Sequence, residues 1–378
     1  THKMTQTKVE APFVENNVPF RNKIINGDMQ IFQRSTSATG LGASAGYFHA
    51  DRFDNYLTGT AGRFTGAQIA DGPGVFGLNS CLKLSCTTAD TSIAAGELYL
   101  LQQHFEGQNM QDLRKGTSDA KKVTVSFYVK GNASAKYTCN LYDNDTSGQR
   151  LISQTFDVTT SWTRIVLTFP GDTTGALDND NNWSFSVWWT LHGGSTYSGG
   201  TFTSNTWEAY DNGKVVGDSA TSFFDSTDRT FFITGVQLEV GEAATDFEVV
   251  PFDVQFQRCQ RYLQCITHNA TTSGNVTGDN KYVMDVHFYN DTACYGSYMF
   301  PVQMRGTPTV VATDSSNSLR VYYKGTYDSI DNLALEGTAR FNHILLGNYT
   351  DIADNDQAGA AAHIYNYDNA QVFVQAEL

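Results

Sequence analysis

At 378 residues the chain exceeds one small domain, and 40% apolar residues, 13% aromatics, Gly 33 and Pro 7 describe a globular chain of strands and tight turns rather than a disordered one. Its 25 basic against 39 acidic residues leave a formal charge of −14, which argues against nucleic acid or an anionic membrane being held by bulk electrostatics. No stretch approaches the ~20 apolar residues of a membrane span and none has the basic-then-apolar pattern of a leader peptide, so a soluble chain with no membrane insertion is expected.

Residues 1–21 are polar, carry Pro12 and Pro19 and show no strand or helix period; they read as an extended arm that docks on partners. From residue 22 to about 250 the pattern is repeated two-residue alternation. Val123, Val125, Phe127 and Val129 point one way, and Thr124, Ser126, Tyr128 and Lys130 the other. The same alternation runs through Ile165, Leu167 and Phe169, through Trp183, Phe185, Val187, Trp189 and Leu191, and through Val236, Leu238 and Val240. Turn sequences such as KGNAS, YDNDTSG and PGDTTG separate these runs. The expectation is an all-β chain built on a jelly-roll β-sandwich.

Residues 251–265 break the alternation. Phe252, Phe256, Cys259 and Leu263 recur at helical spacing behind Pro251, which predicts a short linking helix with one apolar face. That face suits packing on the chain's own sandwich or an interface between copies of the chain, a homotrimer in the sharper form. Alternation returns in Tyr282, Met284, Val286 and Phe288, and again in Val372 and Val374, so residues 266–378 read as a smaller β domain.

Few residue patterns point to catalysis. The six cysteines (Cys81, Cys86, Cys139, Cys259, Cys265, Cys294) form no CxxC pair and read as small buried apolar groups. The eight histidines show no metal-ligand spacing, and the GxSxG string at residues 42–46 lacks the strand and helix of a nucleophile elbow. The chain is therefore expected to act by binding, without an enzymatic role and without a cofactor. The one metal expectation is Ca²⁺ at Asp178 and Asp180, where the DNDNN loop concentrates oxygen donors outside any EF-hand spacing.

Aromatic rings are what sugars stack on, and all five tryptophans fall in one part of the first domain. Trp188 alternates with Ser184, Ser186 and Thr190 on the face opposite Trp183 and Trp189, so it is the tryptophan expected at the surface, with Tyr197 and Tyr210 in neighbouring loops as a binding rim. The second domain offers Tyr298, Tyr323 and Tyr365 as glycan-binding candidates, beside Tyr295, Tyr322, Tyr327 and Tyr367. Asp285 and His287 share the outward face of one strand.

The order of several segments is itself informative. RNKIINGDMQIFQR followed by FHADRF, then KKVTVSFYVKGN, SWTRIVLTFPGDTTG, FFITGVQLEVGEAATDFE and PFDVQFQRCQRYLQ, resembles the carbohydrate-binding-module-like jelly rolls of bacteriophage tail-fibre and minor structural proteins. FPVQMRGTPTV and the final QVFVQAEL resemble the small β tip that follows in such fibres. The resemblance implies a virion location, homotrimers, other virion proteins as partners of the arm, and attachment to a host-surface glycan; it implies no catalytic residues. A head decoration or purely architectural tail protein, and a polysaccharide depolymerase, remain the alternatives.

Overall fold

The computed structural model describes residues 19–146, 149–267, 281–290, 293–312, 319–330, 333–335, 343–349, 359–366 and 371–378; residues 1–18 of the arm and Tyr367 lie outside them. The chain is all-β, and its first part is a jelly-roll sandwich of two six-stranded antiparallel sheets. Strands are numbered in chain order. The first sheet runs β1 (Ser37–Leu41), β3 (Arg63–Ile69), β4 (Cys81–Thr88), β12 (Thr230–Val240), β6 (Val123–Gly131), β9 (Thr163–Phe169). The second runs β11 (Glu208–Ala209), β8 (Arg150–Val158), β7 (Ala135–Asp143), β10 (Trp183–Gly193), β5 (Leu98–Glu106), β2 (Asp54–Thr58).

The core is the product of the alternation. Phe127 from β6 meets Phe156 from β8 edge-on at 5.1 Å and Trp189 from β10 at 5.8 Å, so rings from both sheets interlock where neither face is wet. The INGD segment seals one side of this core by pairing with β12 where that strand loses register between Thr234 and Gln237. Val236 donates to the Gly27 carbonyl at 2.9 Å, and a Cβ on Gly27 would stand 2.1 Å from the Val236 oxygen, so only glycine fits there.

After a single helical turn, α1 (Ser195–Ser198), the second helix α2 (Phe252–Gln260) leads out of the sandwich. It is shorter than the spacing suggested: Leu263 already belongs to β13 (Leu263–Cys265). Cys259 packs with Ile25, Ile31 and Tyr262, and Leu263 with Cys265 and Phe373, so these two of the four interface candidates are used inside the chain. Phe252 stays 40% exposed and stacks on Phe256 at 6.0 Å. A helix on a sandwich must first cover that sandwich, which is why the inner turn of the stripe is consumed.

The remaining strands form a three-stranded sheet, β13, β22 (Val372–Gln375), β16 (Thr309–Ala312), packed on a seven-stranded one. The latter runs β18 (Thr326–Ile330), β17 (Leu319–Tyr323), β21 (Ala361–Asn366), β14 (Lys281–Asn290), β15 (Ala293–Met299), β20 (His343–Tyr349), β19 (Leu333–Leu335). Met284, Val286, Phe288, Val321, Ile364 and Val374 fill the space between them.

A buried ionic network fastens this unit to the sandwich. Arg52, 1% exposed, lies flat on Tyr262 with 3.6 Å to the ring centroid, pairs with Glu377 near the chain end and donates to the His104 carbonyl at 2.9 Å. Glu106 accepts from Nε and Nη2 of Arg261, each at 2.7 Å, and from the Tyr262 hydroxyl. Burial pushes the Glu106 carboxyl up, but these donors outweigh it and hold it below its ordinary value. Arg305 adds hydrogen bonds to the carbonyls of Asn181, Ala376 and Glu377. Removing one partner of such a pair strands a charge without solvent. Arg52→Ala is expected to cost about 3–5 kcal/mol in denaturant unfolding, with Glu377→Gln losing part of the same amount rather than adding to it.

Candidate functional site

The aromatic candidates singled out by sequence fall on two sheets. The outer face of the second sandwich sheet carries Trp188, Tyr142, Asn140, Gln102, His104 and Asp54, and over Trp188 it is closed. Residues 194–217 fold back over it: Asn140 donates to the Val215 carbonyl at 3.0 Å and Gly217 donates to the Thr138 hydroxyl at 2.8 Å. Trp188 stacks on Tyr142 at 4.4 Å, Tyr210 meets Tyr142 edge-on at 5.4 Å, and Tyr197 packs on the same cluster. The three sandwich candidates therefore come together, but Trp188 is 5% exposed, not a surface ring. Alternation placed it correctly on the non-core face; that face is then roofed by the chain itself. Burial pushes the Tyr210 phenol up to about 12 and the His104 imidazole of the same face down to about 3, as expected of groups removed from water.

In the loop expected to hold Ca²⁺ part of the donor set is used within the chain. The Asp180 carboxylate accepts from the Asn182 backbone at 2.9 Å, and the backbone N–H of Asp178 donates to Asp145 at 2.8 Å. At the nearby acidic turn the cation is Lys115, whose ammonium pairs with Asp143, lies 3.1 Å from Asp172 and donates to the Thr174 and Gly175 carbonyls. Among the described residues no group of three His, Cys, Asp or Glu side chains is placed to bind a metal.

The open face is the outer side of the seven-stranded sheet. Asp285, His287 and Tyr289 of β14, Tyr295, Ser297 and Met299 of β15, and His363 and Tyr365 of β21 all point away from the core. Tyr282 joins them through a bulge: Tyr282 opposes Tyr365 while Met284 opposes Ile364, so Val283 is the extra residue and Tyr282 turns outward instead of sharing the inner face with Met284. Tyr282 is 55% exposed, Tyr289 65% and Met299 74%. Tyr282 contacts Tyr365 edge-on at 6.1 Å, and Tyr365 contacts Tyr322 at 6.2 Å. Between Tyr282 and Met299 lies a depression of about 620 Å³ lined also by Asp285, His287, Tyr295 and Ser297.

Its polar groups are poised for hydrogen bonding. Asp285 accepts from His363 Nδ1 at 2.6 Å, and this bond, then one from Tyr282, holds the carboxyl below its ordinary range. Desolvation, then the Asp285 hydrogen bond, raises the Tyr282 phenol. Of the tip residues singled out by sequence, Tyr365 belongs here. Tyr323 instead meets Phe288 edge-on at 5.2 Å and Tyr298 meets Phe300 at 5.9 Å, both against the inner cluster, because each sits on the core parity of its strand or at its end. Tyr282, Tyr289 and His363 were missed; the alternation of β21 around Ala362 and Ile364 would have flagged His363.

No protein-family model matches the sequence, and no curated protein matches it. Among solved structures, a family 4 carbohydrate-binding module is 12% identical with a TM-score of 0.31, covering 58% of this chain and all of that one. The enzymatically active domain of tailspike protein 4 from bacteriophage CBA120 is 11% identical, TM-score 0.29, covering 59% of this chain and 22% of that one. A family 11 carbohydrate-binding module from Clostridium thermocellum is 13% identical, TM-score 0.28, covering 56% and 98%. Likeness at this level assigns neither a ligand nor an activity.

The two faces respond differently to truncation. Trp188→Ala should destabilise the chain by about 3–5 kcal/mol, as for a core aromatic, whereas Tyr282→Ala should stay within about 0.5 kcal/mol in the same denaturant titration.

Proposed function

We propose that this chain is a non-enzymatic attachment protein, a subunit of a bacteriophage surface appendage, that holds a host-surface glycan on the outer face of its seven-stranded sheet. The observation that carries the reading is the open strip of Tyr282, Tyr289, Tyr295 and Tyr365 around a depression edged by Asp285, His287 and Ser297. Flat phenol rings take the apolar face of a sugar, and carboxylate and imidazole groups beside them take its hydroxyls. On the other candidate face, roofed by residues 194–217, Trp188 is out of a sugar's reach without unfolding that segment.

A single shallow face binds weakly, so attachment gains from several copies on one particle. The exposed side of α2, where Phe252 stacks on Phe256 beside exposed Val249, is the surface on which copies would meet. Light scattering should then give a mass above the 41.6 kDa of one chain at micromolar concentration.

The test of the glycan reading is a host-glycan array probed with the full chain and with Tyr282→Ala/Tyr365→Ala. Two rings at roughly 1 kcal/mol each predict about a thirtyfold loss of affinity. Unchanged binding in the double variant would put the glycan elsewhere on the chain, and no binding by either protein would favour a purely architectural role.

A further inference from the structure

A second feature lies on the other side of the molecule, on the outer face of the first sandwich sheet. Phe232 on β12 is directly opposite Lys83 on β4 and Lys130 on β6, and Trp162 precedes β9 at the next position across the sheet. The four side chains form one row over four adjacent strands, spanning about three strand spacings, roughly 14 Å. The Lys83 ammonium stands 5.3 Å from the Phe232 centroid, and that of Lys130 4.8 Å from Phe232 and 5.0 Å from Trp162. Trp162 meets Phe232 edge-on at 6.3 Å. In the next row Arg164 lies 5.9 Å from the Tyr128 ring.

All of these residues are partly exposed. The acid within the row is Asp71, held by Lys130 and by the Trp162 indole N–H at 3.1 Å. Lys83 has no ion-pair partner among the described residues, so the patch keeps surplus positive charge in a chain whose total is −14. Cations that only brace a sheet are expected to find acids across it; here one is set over a ring and left with its charge free.

We propose that this row is a second saccharide site, selective for acidic polysaccharides whose sugar rings stack on Trp162 and Phe232 while their carboxylates pair with Lys83. Alternating rings and cations suit a polymer that alternates apolar ring faces and carboxylates. Single-stranded nucleic acid also stacks and carries charge, but its denser charge meets the repulsion of an acidic chain, and the row holds ammonium point charges in place of the guanidinium fork that fits phosphate. The site is separate from the tyrosine strip of the seven-stranded sheet, and neither proposal depends on the other.

Affinity electrophoresis of the full chain through gels containing polygalacturonate, dextran or a single-stranded oligonucleotide tests it. The expected result is retardation by polygalacturonate that weakens with added salt, with a dissociation constant raised about fivefold by Lys83→Ala and again by Trp162→Ala, and unaffected by Tyr282→Ala/Tyr365→Ala. Matching circular-dichroism melts keep each variant's result a statement about binding. No retardation by polygalacturonate at low salt, retardation of Lys83→Ala and Trp162→Ala as strong as that of the unchanged chain, or tighter binding to the oligonucleotide would each overturn the proposal.

Discussion

A guanidinium with almost no access to water depends on the partners the chain brings to it, and Arg52 is the group on which the assembly of this chain turns. It comes from the FHADRF segment just before β2, yet its partners are Glu377, the last residue but one, and Tyr262, which follows α2. Glu106 does the converse, a carboxylate without solvent that reaches forward to Arg261 and Tyr262. These contacts join the first strands of the sandwich to the last strand of the tip, so the seven-stranded sheet is held in one place on the sandwich. Ion pairs of this kind add little to stability over an apolar contact, but they tolerate only one arrangement.

That fastening decides which surfaces are free. The outer face of the second sandwich sheet is taken up on one side by residues 194–217 and on the other by α2, β13 and the chain end. Among its buried polar side chains, Asn140, Gln102 and His104 bond to the Val215 carbonyl, Asp54 and Ser186. The tip, docked through its ends, leaves the outer side of its large sheet open, and there the rings are tyrosines and histidines with polar tips rather than tryptophans. A binding surface of this composition keeps its own hydration while offering flat apolar area.

The fold class was legible because the physics that fixes it is local. Strands such as Val123–Gly131 and Trp183–Gly193 write their two faces directly into the sequence, and the turns between them are Asn, Asp and Gly clusters. The candidate surfaces were less legible, because exposure depends on what a distant segment covers. Trp188 sits on the face that alternation assigns, and a covering loop from residues 194–217 reverses the conclusion about its access. Tyr282 shows the complementary case, since one extra residue at Val283 moves it from the inner face to the outer. Leu263 marks the limit of periodicity: a helical spacing continued by chance into a strand that pairs with residues over a hundred positions later.

The account stands on the open tyrosine strip being where the ligand lies. Hydroxyl-radical footprinting of the full chain, read by mass spectrometry with and without host-surface glycan, addresses that directly. Protection of Tyr282, Tyr289 and Met299, with Trp188 and Tyr210 unchanged, is the result the account requires. Protection that leaves those three side chains as reactive as before and appears instead in residues 194–217 would contradict it.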